Sequence, residues 1–282
     1  ERERLMLPLQ GCPRLTALAK ELGNTVAPEM LLPFFATLYW CIDQHKCVAG
    51  IWLVPAGEVL NGLVKWCFRR GRPAWEDKRI EMNSWQAEYS FPSSHTQLIA
   101  EVATWLVLSS DHPQAVAGGG IHPPVATMVA LVCLVGWSRV PEGLHYPRDV
   151  VVGGTAGALI AALHAWRIVP ACLAVATRTR WASLLLLSIP AVACAVALWL
   201  GYRAVNRAHA LKPDPAHWAR NACRGRFAGR DLDPRGVPFG NYTGMLGVLT
   251  GLALGCGFRD LVPLANPSSW HFFAARAVLG NA

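Results

Sequence analysis

The chain alternates between long apolar runs and short polar connections. Apolar residues dominate seven stretches, each close to the ~20 residues that a helix needs to cross a bilayer when tilt and interfacial anchors are allowed. These stretches are residues 29–43, 48–66, 95–110, 121–138, 149–168, 183–203 and 241–258. Tryptophans lie near the ends of several of them, as expected for rings at the headgroup level. The pattern predicts an all-α fold, a polytopic transmembrane helical bundle of about six to seven spans.

The segments between and before these runs are polar or mixed. Residues Pro13–Leu22 can form a short amphipathic helix, either on the membrane surface or simply exposed to solvent. The link 204–238 is rich in Arg, Pro and Asp and predicts a polar loop. We therefore expect a single integral membrane domain over residues 1–282. Within it we expect a core at about 29–168 and a C-terminal extension with additional spans at about 169–282.

Composition supports lipid as the solvent of this chain. Of its 282 residues, 53% are hydrophobic and 16% are charged, with a mean hydropathy of +0.28, whereas a soluble domain carries about 25% charged residues. The net charge of +8 indicates an anionic partner, which could be nucleic acid, lipid headgroups or a substrate. The position of the charges along the chain has to decide among these.

Ionisable residues gather where the second and fourth predicted spans end and where the third and fifth begin. Because successive spans alternate in direction, all four points lie on one membrane face. The residues at these points are Lys65, Arg72, His95, Arg139, His145 and Asp149. Ionisable groups at such a depth are costly, so they indicate a functional site. We expect them to converge on one cavity at the mouth of the bundle.

The cations of this set suit a phosphate group. Guanidinium groups bind phosphate oxygens through two parallel hydrogen bonds, and an ammonium acts as a point charge. Lys65, Arg72 and Arg139 together can neutralise a phosphate and the further charge of its transition state. We therefore expect an anionic substrate in this cavity and no nucleic-acid partner.

The two histidines differ in their neighbours. Asp149 follows His145 by one helical turn, so its carboxylate can accept the ring N–H and leave the other ring nitrogen to attack phosphorus. His95 has no carboxylate nearby in sequence, and a bound phosphate would favour its protonated form. His95 therefore suits the general acid that protonates the leaving oxygen.

Two structural alternatives exist for the same residues. The charged groups could form internal ion pairs that hold the bundle together, for example Arg139 with Asp149. His95, His145 and Asp149 could instead ligate a metal. Three adjacent cations would repel that metal, so we expect no metal and no cofactor.

Three sequence blocks resemble the signature of the type 2 phosphatidic acid phosphatase superfamily, which includes lipid phosphate phosphatases, glucose-6-phosphatase and vanadium haloperoxidases. Residues 65–73 match K-x6-R-P, and residues 138–149 contain S-R-x5-H-x3-D in full. Residues 92–95 match P-S-G-H except that Ser94 replaces the glycine. Ser94 keeps the backbone N–H of that glycine and adds a side chain.

The resemblance implies a phosphohistidine intermediate at His145, oriented by Asp149, with His95 acting first as acid and then as base. It also implies hydrolysis without a metal. The residues that it assigns to phosphate binding are Lys65, Arg72, Ser93, Ser94 and Arg139.

We therefore expect a phosphoric ester hydrolase, namely a metal-independent membrane phosphatase of a lipid phosphate monoester or diphosphate. Phosphatidate, a sphingoid-base phosphate and an isoprenoid diphosphate all fit. The expected partners are this lipid and the bilayer, and the expected location is a multi-pass position in the endoplasmic reticulum, another endomembrane, or the plasma membrane of a bacterium. A phosphatase of a soluble ester such as a sugar phosphate, and a non-catalytic headgroup binder or transporter, are the alternatives. A haloperoxidase is a third, against which the multispan pattern argues.

Overall fold

A computed structural model describes residues 6–24, 37, 50, 52–109, 123–168 and 180–258 of the chain. These residues are helical or irregular, and no strand occurs among them. The helices, in order, are α1 Leu7–Gln10, α2 Pro13–Asn24, α3 Leu53–Phe68, α4 Pro73–Glu76, α5 Ser94–Leu108, α6 Pro123–Ser138, α7 Pro147–Leu163, α8 Arg180–Leu211, α9 Ala216–Ala222 and α10 Gly236–Phe258. A π-helical turn, His164–Ile168, extends α7, and a 3-10 turn, Gly225–Phe227, follows α9.

The all-α prediction is confirmed for the described part of the chain. Helices α3, α5, α6, α7, α8 and α10 lie at the predicted apolar stretches, while the stretch 29–43 falls outside the described residues apart from position 37. Among the helices described, Pro147–Ile168, which is 22 residues long, is long and apolar enough to cross a membrane; the apolar helix Val125–Ser138 is shorter. Since α3, α5 and α6 have only 15 or 16 residues, the predicted number of six to seven spans is not confirmed.

Helices α5 and α7 form the most extensive helix contact, and glycines on α7 make it close. A Cβ at Gly157 would lie 2.2 Å from the backbone oxygen of Gln97, and a Cβ at Gly153 would lie 2.5 Å from that of Ser93. Only a glycine fits at these two points. The contact brings the start of α5 beside the start of α7.

The C-terminal helices share the main apolar cluster of the molecule with α3 and α4. Trp66 on α3 packs against Tyr242 on α10 with ring centroids 5.4 Å apart, and Trp75 on α4 packs against Trp218 on α9 at 5.9 Å. The link 204–238, predicted as a polar loop, thus contains the end of α8, helix α9 and the start of α10. Buried aromatic rings such as Trp218 explain why this link is ordered against the rest of the chain.

Helix α2 packs one face against α6, with Ala19 and Gly23 buried, and leaves residues such as Leu18 exposed on the other face. Its closest approach is at Gly23, where a Cβ would be only 1.3 Å from Nη2 of Arg139. The end of helix α2 therefore covers Arg139, one of the predicted phosphate ligands.

Candidate active site

The first sequence block places two cations at the end of one helix and the start of another. Helix α3 ends where Arg69 adopts a left-handed conformation with φ 45°, and the Arg69 N–H donates to the Lys65 carbonyl at 2.9 Å. Arg72 is the N-cap of α4, and Pro73 occupies the first helical position, where its fixed φ is favourable. Lys65 and Arg72 are each 1% exposed, so both charges are held inside the protein.

The second block forms the N-terminus of α5. Ser93 is the N-cap, and its hydroxyl accepts from the Thr96 N–H at 3.5 Å and contacts the Thr96 hydroxyl at 3.0 Å. The Ser93 N–H donates to the Asp149 carbonyl at 3.0 Å. Ser94 Oγ lies 3.4 Å from Nζ of Lys65. Ser93 thus uses its polar groups to build the turn, whereas half-buried Ser94 and His95 face the part of the site that solvent reaches.

The third block turns the chain between α6 and α7. Gly143 has a φ of +72°, and a Cβ there would lie 2.3 Å from the Glu81 carbonyl oxygen, so only glycine suits this position. Asp149, in the first turn of α7, accepts from the Tyr146 N–H at 3.0 Å. This reversal places His145 directly before α7.

The ring of His145 is fixed by two groups. Its Nδ1 lies 2.7 Å from the Ser90 carbonyl oxygen, and its Nε2 lies 3.2 Å from Nη1 of Arg72. A carbonyl oxygen only accepts and a guanidinium only donates. The proton therefore sits on Nδ1, and Nε2 presents a lone pair towards the cations.

Asp149 does not make the hydrogen bond to the His145 ring that its position one helical turn later predicts. Its Oδ2 is 3.9 Å from Nδ1 of His145, which is too far for a hydrogen bond. The same oxygen accepts from the Ser90 hydroxyl at 2.5 Å. Ser90 therefore stands between the two, with its backbone oxygen on the histidine and its hydroxyl on the aspartate.

Two of the three cations are paired with acids that the sequence analysis did not single out. Lys65 forms a salt bridge with Glu88, and Arg139 forms one with Glu142. Arg139 thus pairs with Glu142, three residues later in the chain, and not with Asp149 as in the structural alternative. Arg72 instead donates to backbone oxygens, from Nε to Glu88 at 2.7 Å and from Nη1 to Leu144 at 3.1 Å.

The electrostatic environment favours a neutral His145 ring beside charged side chains. Burial lowers the pKa of His145 well below its usual value, and the neighbouring charges of Arg72 and Lys65 lower it further. Burial also lowers the pKa of Arg72 to about 10, so its guanidinium keeps its charge at neutral pH. Burial opposes the charge of Glu88, but Lys65 and Arg72 hold the pKa of its carboxyl below the ordinary value.

The C-terminal segment reaches the site through Asp214 and through Tyr242 of α10, whose hydroxyl interacts with Glu88. Asp214, just before α9, forms a salt bridge with Arg69 at 2.5 Å and accepts from the Tyr89 hydroxyl at 2.6 Å. Its partners adjoin the first block and the Glu88–Ser90 segment. Trp218 adds a hydrogen bond from its indole N–H to Glu76 at 3.0 Å.

The structure therefore gathers the predicted residues at one end of the helices and adds four that the motifs did not indicate. The added residues are Glu88, Ser90, Glu142 and Asp214. Glu142 stands inside the third block and Ser90 two positions before the second, so an inspection of the residues flanking the blocks could have found them. No three His, Cys, Asp or Glu side chains in the described ranges are grouped closely enough to hold a metal ion.

Comparison with known proteins agrees with these blocks. A helical site with a neutral, oriented histidine beside buried cations is the kind that binds and transfers a phosphoryl group. Residues 48–174 match the model of the PAP2 superfamily. The segment that carries the three sequence blocks is therefore similar to the PAP2 superfamily.

A solved structure also resembles the chain. It is the crystal structure of LpxE from Aquifex aeolicus, with 23% identity and a TM-score of 0.44 over 57% of this chain and 92% of that one. A search of curated proteins gave no significant match.

Proposed function

We propose that the protein is an integral membrane phosphatase that hydrolyses a lipid phosphate monoester or diphosphate through a phosphohistidine at His145. The observation that carries the proposal is the orientation of the His145 ring. Ser90 holds the proton on Nδ1, and Nε2 points to the Arg72 guanidinium that a phosphate would bind. A buried, uncharged ring nitrogen with a fixed direction is a competent nucleophile.

The reaction follows in two steps. Nε2 of His145 attacks phosphorus and forms a P–N bond, while the P–O bond to the leaving alcohol breaks and its electron pair goes to oxygen. His95 donates a proton to that oxygen. The neutral His95 ring then takes a proton from water, whose oxygen attacks phosphorus, and the P–N bond breaks to release phosphate and restore His145.

Phosphate binding in this scheme belongs to Lys65, Arg72, Ser94 and Arg139. The buried cations stabilise the charge that develops on the equatorial phosphate oxygens in the transition state. Ser93 contributes by fixing the turn at the start of α5, because its hydroxyl and N–H are engaged there. Asp149 supports His145 by charge and through the Ser90 hydroxyl.

The membrane assignment rests on apolar side chains that face outward. Val151 and Trp166 on α7 are 67% and 69% exposed, and Ile189 and Val192 on α8 are 62% and 61% exposed. Val129 on α6 is similarly exposed. Large apolar side chains exposed on several helices are typical of a surface in contact with lipid. With the predicted stretches of the sequence, it supports a multi-pass bundle of six to seven spans.

The position of the site supports a lipid substrate. The end of α3, the start of α5 and the start of α7 meet there, as the contacts of Lys65 with Ser94 and of Ser93 with Asp149 show. A cavity at the end of membrane helices is open to a headgroup, while the acyl or isoprenoid chain stays in hydrocarbon.

The test is phosphate release by the purified chain in detergent, in the presence of EDTA, from phosphatidate, a sphingoid-base phosphate, an isoprenoid diphosphate and glucose 6-phosphate. We expect release from at least one lipid, its loss in His145→Ala, and its retention in His217→Ala, a half-exposed histidine of α9. Release from the sugar phosphate alone would contradict the lipid assignment. Activity that disappears with EDTA would contradict the metal-independent mechanism.

A further inference from the structure

Glu88 is an acid in direct contact with a predicted phosphate ligand, and no sequence block includes it. Its carboxylate forms a salt bridge with Nζ of Lys65, whose other contact is Ser94 Oγ at 3.4 Å. The Lys65 side chain is 1% exposed, whereas that of Glu88 is 15% exposed. The carboxylate therefore lies between the buried ammonium and the part of the site that solvent reaches.

The backbone on both sides of this carboxylate is fixed. The Glu88 carbonyl accepts from Nε of Arg72 at 2.7 Å, the Tyr89 hydroxyl donates to Asp214 at 2.6 Å, and the Ser90 N–H donates to the Arg70 carbonyl at 2.8 Å. Because the main chain is held, Glu88 can leave Lys65 by rotation of its side chain without rearrangement of the loop. The His145 ring, which depends on the Ser90 carbonyl, stays in place when Glu88 moves.

The pair between Arg139 and Glu142 lacks this freedom. Both side chains are buried, at 3% and 1% exposure, and Glu142 also accepts from the Ser84 hydroxyl at 3.1 Å. Glu88 also interacts with the Tyr242 hydroxyl, but its side chain is 15% exposed, whereas the Glu142 carboxylate is closed off from solvent and therefore costly to displace. Of the two acids, Glu88 is the one positioned to exchange with an incoming anion.

We propose that Glu88 is an internal counter-anion that competes with the phosphoryl group for Lys65 and so weakens the binding of phosphate, including the phosphate product. The proposal rests on the function proposed above, because it assigns Lys65 to the phosphate. Glu88 is on this account an affinity-determining residue, since it acts on the substrate through Lys65.

The physical basis is competition between two anions for one ammonium. Removal of the carboxylate leaves the buried Lys65 ammonium without its salt-bridge partner, which is unfavourable until a phosphate oxygen takes its place. Phosphate then no longer has to displace the Glu88 carboxylate, so its binding free energy becomes more favourable. Coupling between close charge pairs is commonly worth at least tenfold in an equilibrium constant.

The experiment measures the affinity of inorganic phosphate for the full chain in detergent by titration calorimetry. We compare the wild type with Glu88→Gln, Glu88→Asp and Glu81→Gln, the last an exposed glutamate on the same segment. We expect Glu88→Gln to bind inorganic phosphate about tenfold more tightly than the wild type, following the coupling of close charge pairs. Glu88→Asp, whose shorter carboxylate reaches Lys65 less well, should be intermediate, and Glu81→Gln should equal the wild type.

Equal or weaker phosphate binding in Glu88→Gln, or undetectable binding in both it and the wild type, would overturn the proposal. If Glu88→Gln does not fold, Glu88→Asp is compared with the wild type instead. Unchanged affinity of Glu88→Asp for inorganic phosphate would then contradict the proposal. Because calorimetry needs no turnover, the outcome is separable from the proposed function. A wild type that releases phosphate through His145 while Glu88→Gln binds no tighter refutes the role of Glu88 alone.

Discussion

The segment with the three sequence blocks and the C-terminal segment contribute to one site in different ways. Within the first, residues touch the predicted phosphate position or one another, as Arg72 and Ser90 hold the His145 ring. The second, from α8 to α10, mainly holds the loop beside the site, since Asp214 binds Arg69 and Tyr89. On the function proposed above, the blocks supply the reacting groups and the C-terminal segment fixes the loop between them.

That loop, residues 69–93, has little regular structure of its own. It contains the four-residue helix α4, and much of its backbone bonds to side chains from elsewhere. Arg224 donates to the Ile80 carbonyl at 2.8 Å, and Arg226 donates to the Met82 carbonyl at 2.9 Å. A loop ordered by contacts rather than by its own hydrogen bonds is sensitive to the loss of those contacts.

The largest effect is expected from a change on the catalytic side of this comparison, Arg72→Lys. Lysine keeps the charge but cannot donate at once to the Glu88 carbonyl, the Leu144 carbonyl and a phosphate. We expect kcat/KM to fall about 10²- to 10³-fold, the usual cost of removing one donor from the transition state. Steady-state kinetics on the best lipid substrate measures it.

The matched control is Arg79→Lys, an exposed arginine of the same loop whose partner is Asp77. It should retain the wild-type kcat/KM. An equal loss in both variants would mean that the loop is merely disturbed and that Arg72 has no special place in it.

A smaller effect is expected from the C-terminal side, in Asp214→Asn. The amide keeps the shape but loses the ion pair with Arg69 and the charged acceptor of Tyr89. A hydrogen bond to a charged group contributes about 2 kcal/mol, so the free energy of unfolding should fall by about that amount. Because misplacement of a catalytic group lowers its effective concentration, kcat/KM should also fall, about tenfold.

Thermal unfolding in detergent and steady-state kinetics measure the two quantities, with Asp231→Asn, an exposed aspartate of the same segment, as the control. Lower stability with unchanged kcat/KM would show that Asp214 stabilises the fold but has no effect on catalysis. Lower kcat/KM with unchanged stability would place Asp214 closer to the chemistry than we infer.

The smallest effect is expected in the dependence of stability on pH. Burial, Arg72 and Lys65 lower the pKa of His145 well below its usual value, whereas the same ring in the unfolded chain has a pKa of about 6.5. Between these two values the unfolded state binds a proton that the folded state does not. Stability should therefore fall as pH is lowered through 6.5, by up to about 1.4 kcal/mol per pH unit from this ring.

His145→Asn should remove this contribution, and His217→Ala should leave it unchanged. Unfolding midpoints between pH 8 and pH 5 give the measurement. An identical pH slope in wild type and His145→Asn would show that the ring is not held neutral by its surroundings.

The sequence was sufficient for the parts of the molecule that depend on local pattern. Apolar runs predict where α3, α5, α6, α7, α8 and α10 lie, because burial of an apolar helix face follows from the run itself. Span ends on a common face predict that the ionisable residues from Lys65 to Asp149 converge, and the structure places Arg72 against His145 and Lys65 against Ser94, the neighbour of His95.

Contacts between residues that are far apart in sequence could not be predicted from local pattern. Tyr89 and Asp214 are 125 residues apart, and nothing in the intervening pattern indicates that they meet. The expected hydrogen bond of Asp149 with His145 followed from helical spacing, but His145 precedes α7, and Ser90 from another segment fills the place between them. Glu88 could not be predicted because a single acidic residue between the blocks belongs to no motif and to no periodic pattern.

The most direct test of the account is detection of a phosphoryl group on His145. The purified chain is mixed with its lipid substrate in EDTA and quenched in base, where phosphohistidine survives, and the peptide containing His145 is analysed by mass spectrometry. The account predicts one phosphoryl group on His145 during turnover and none in His145→Ala, which should also release no phosphate. Steady phosphate release without that adduct, or from His145→Ala, would contradict it.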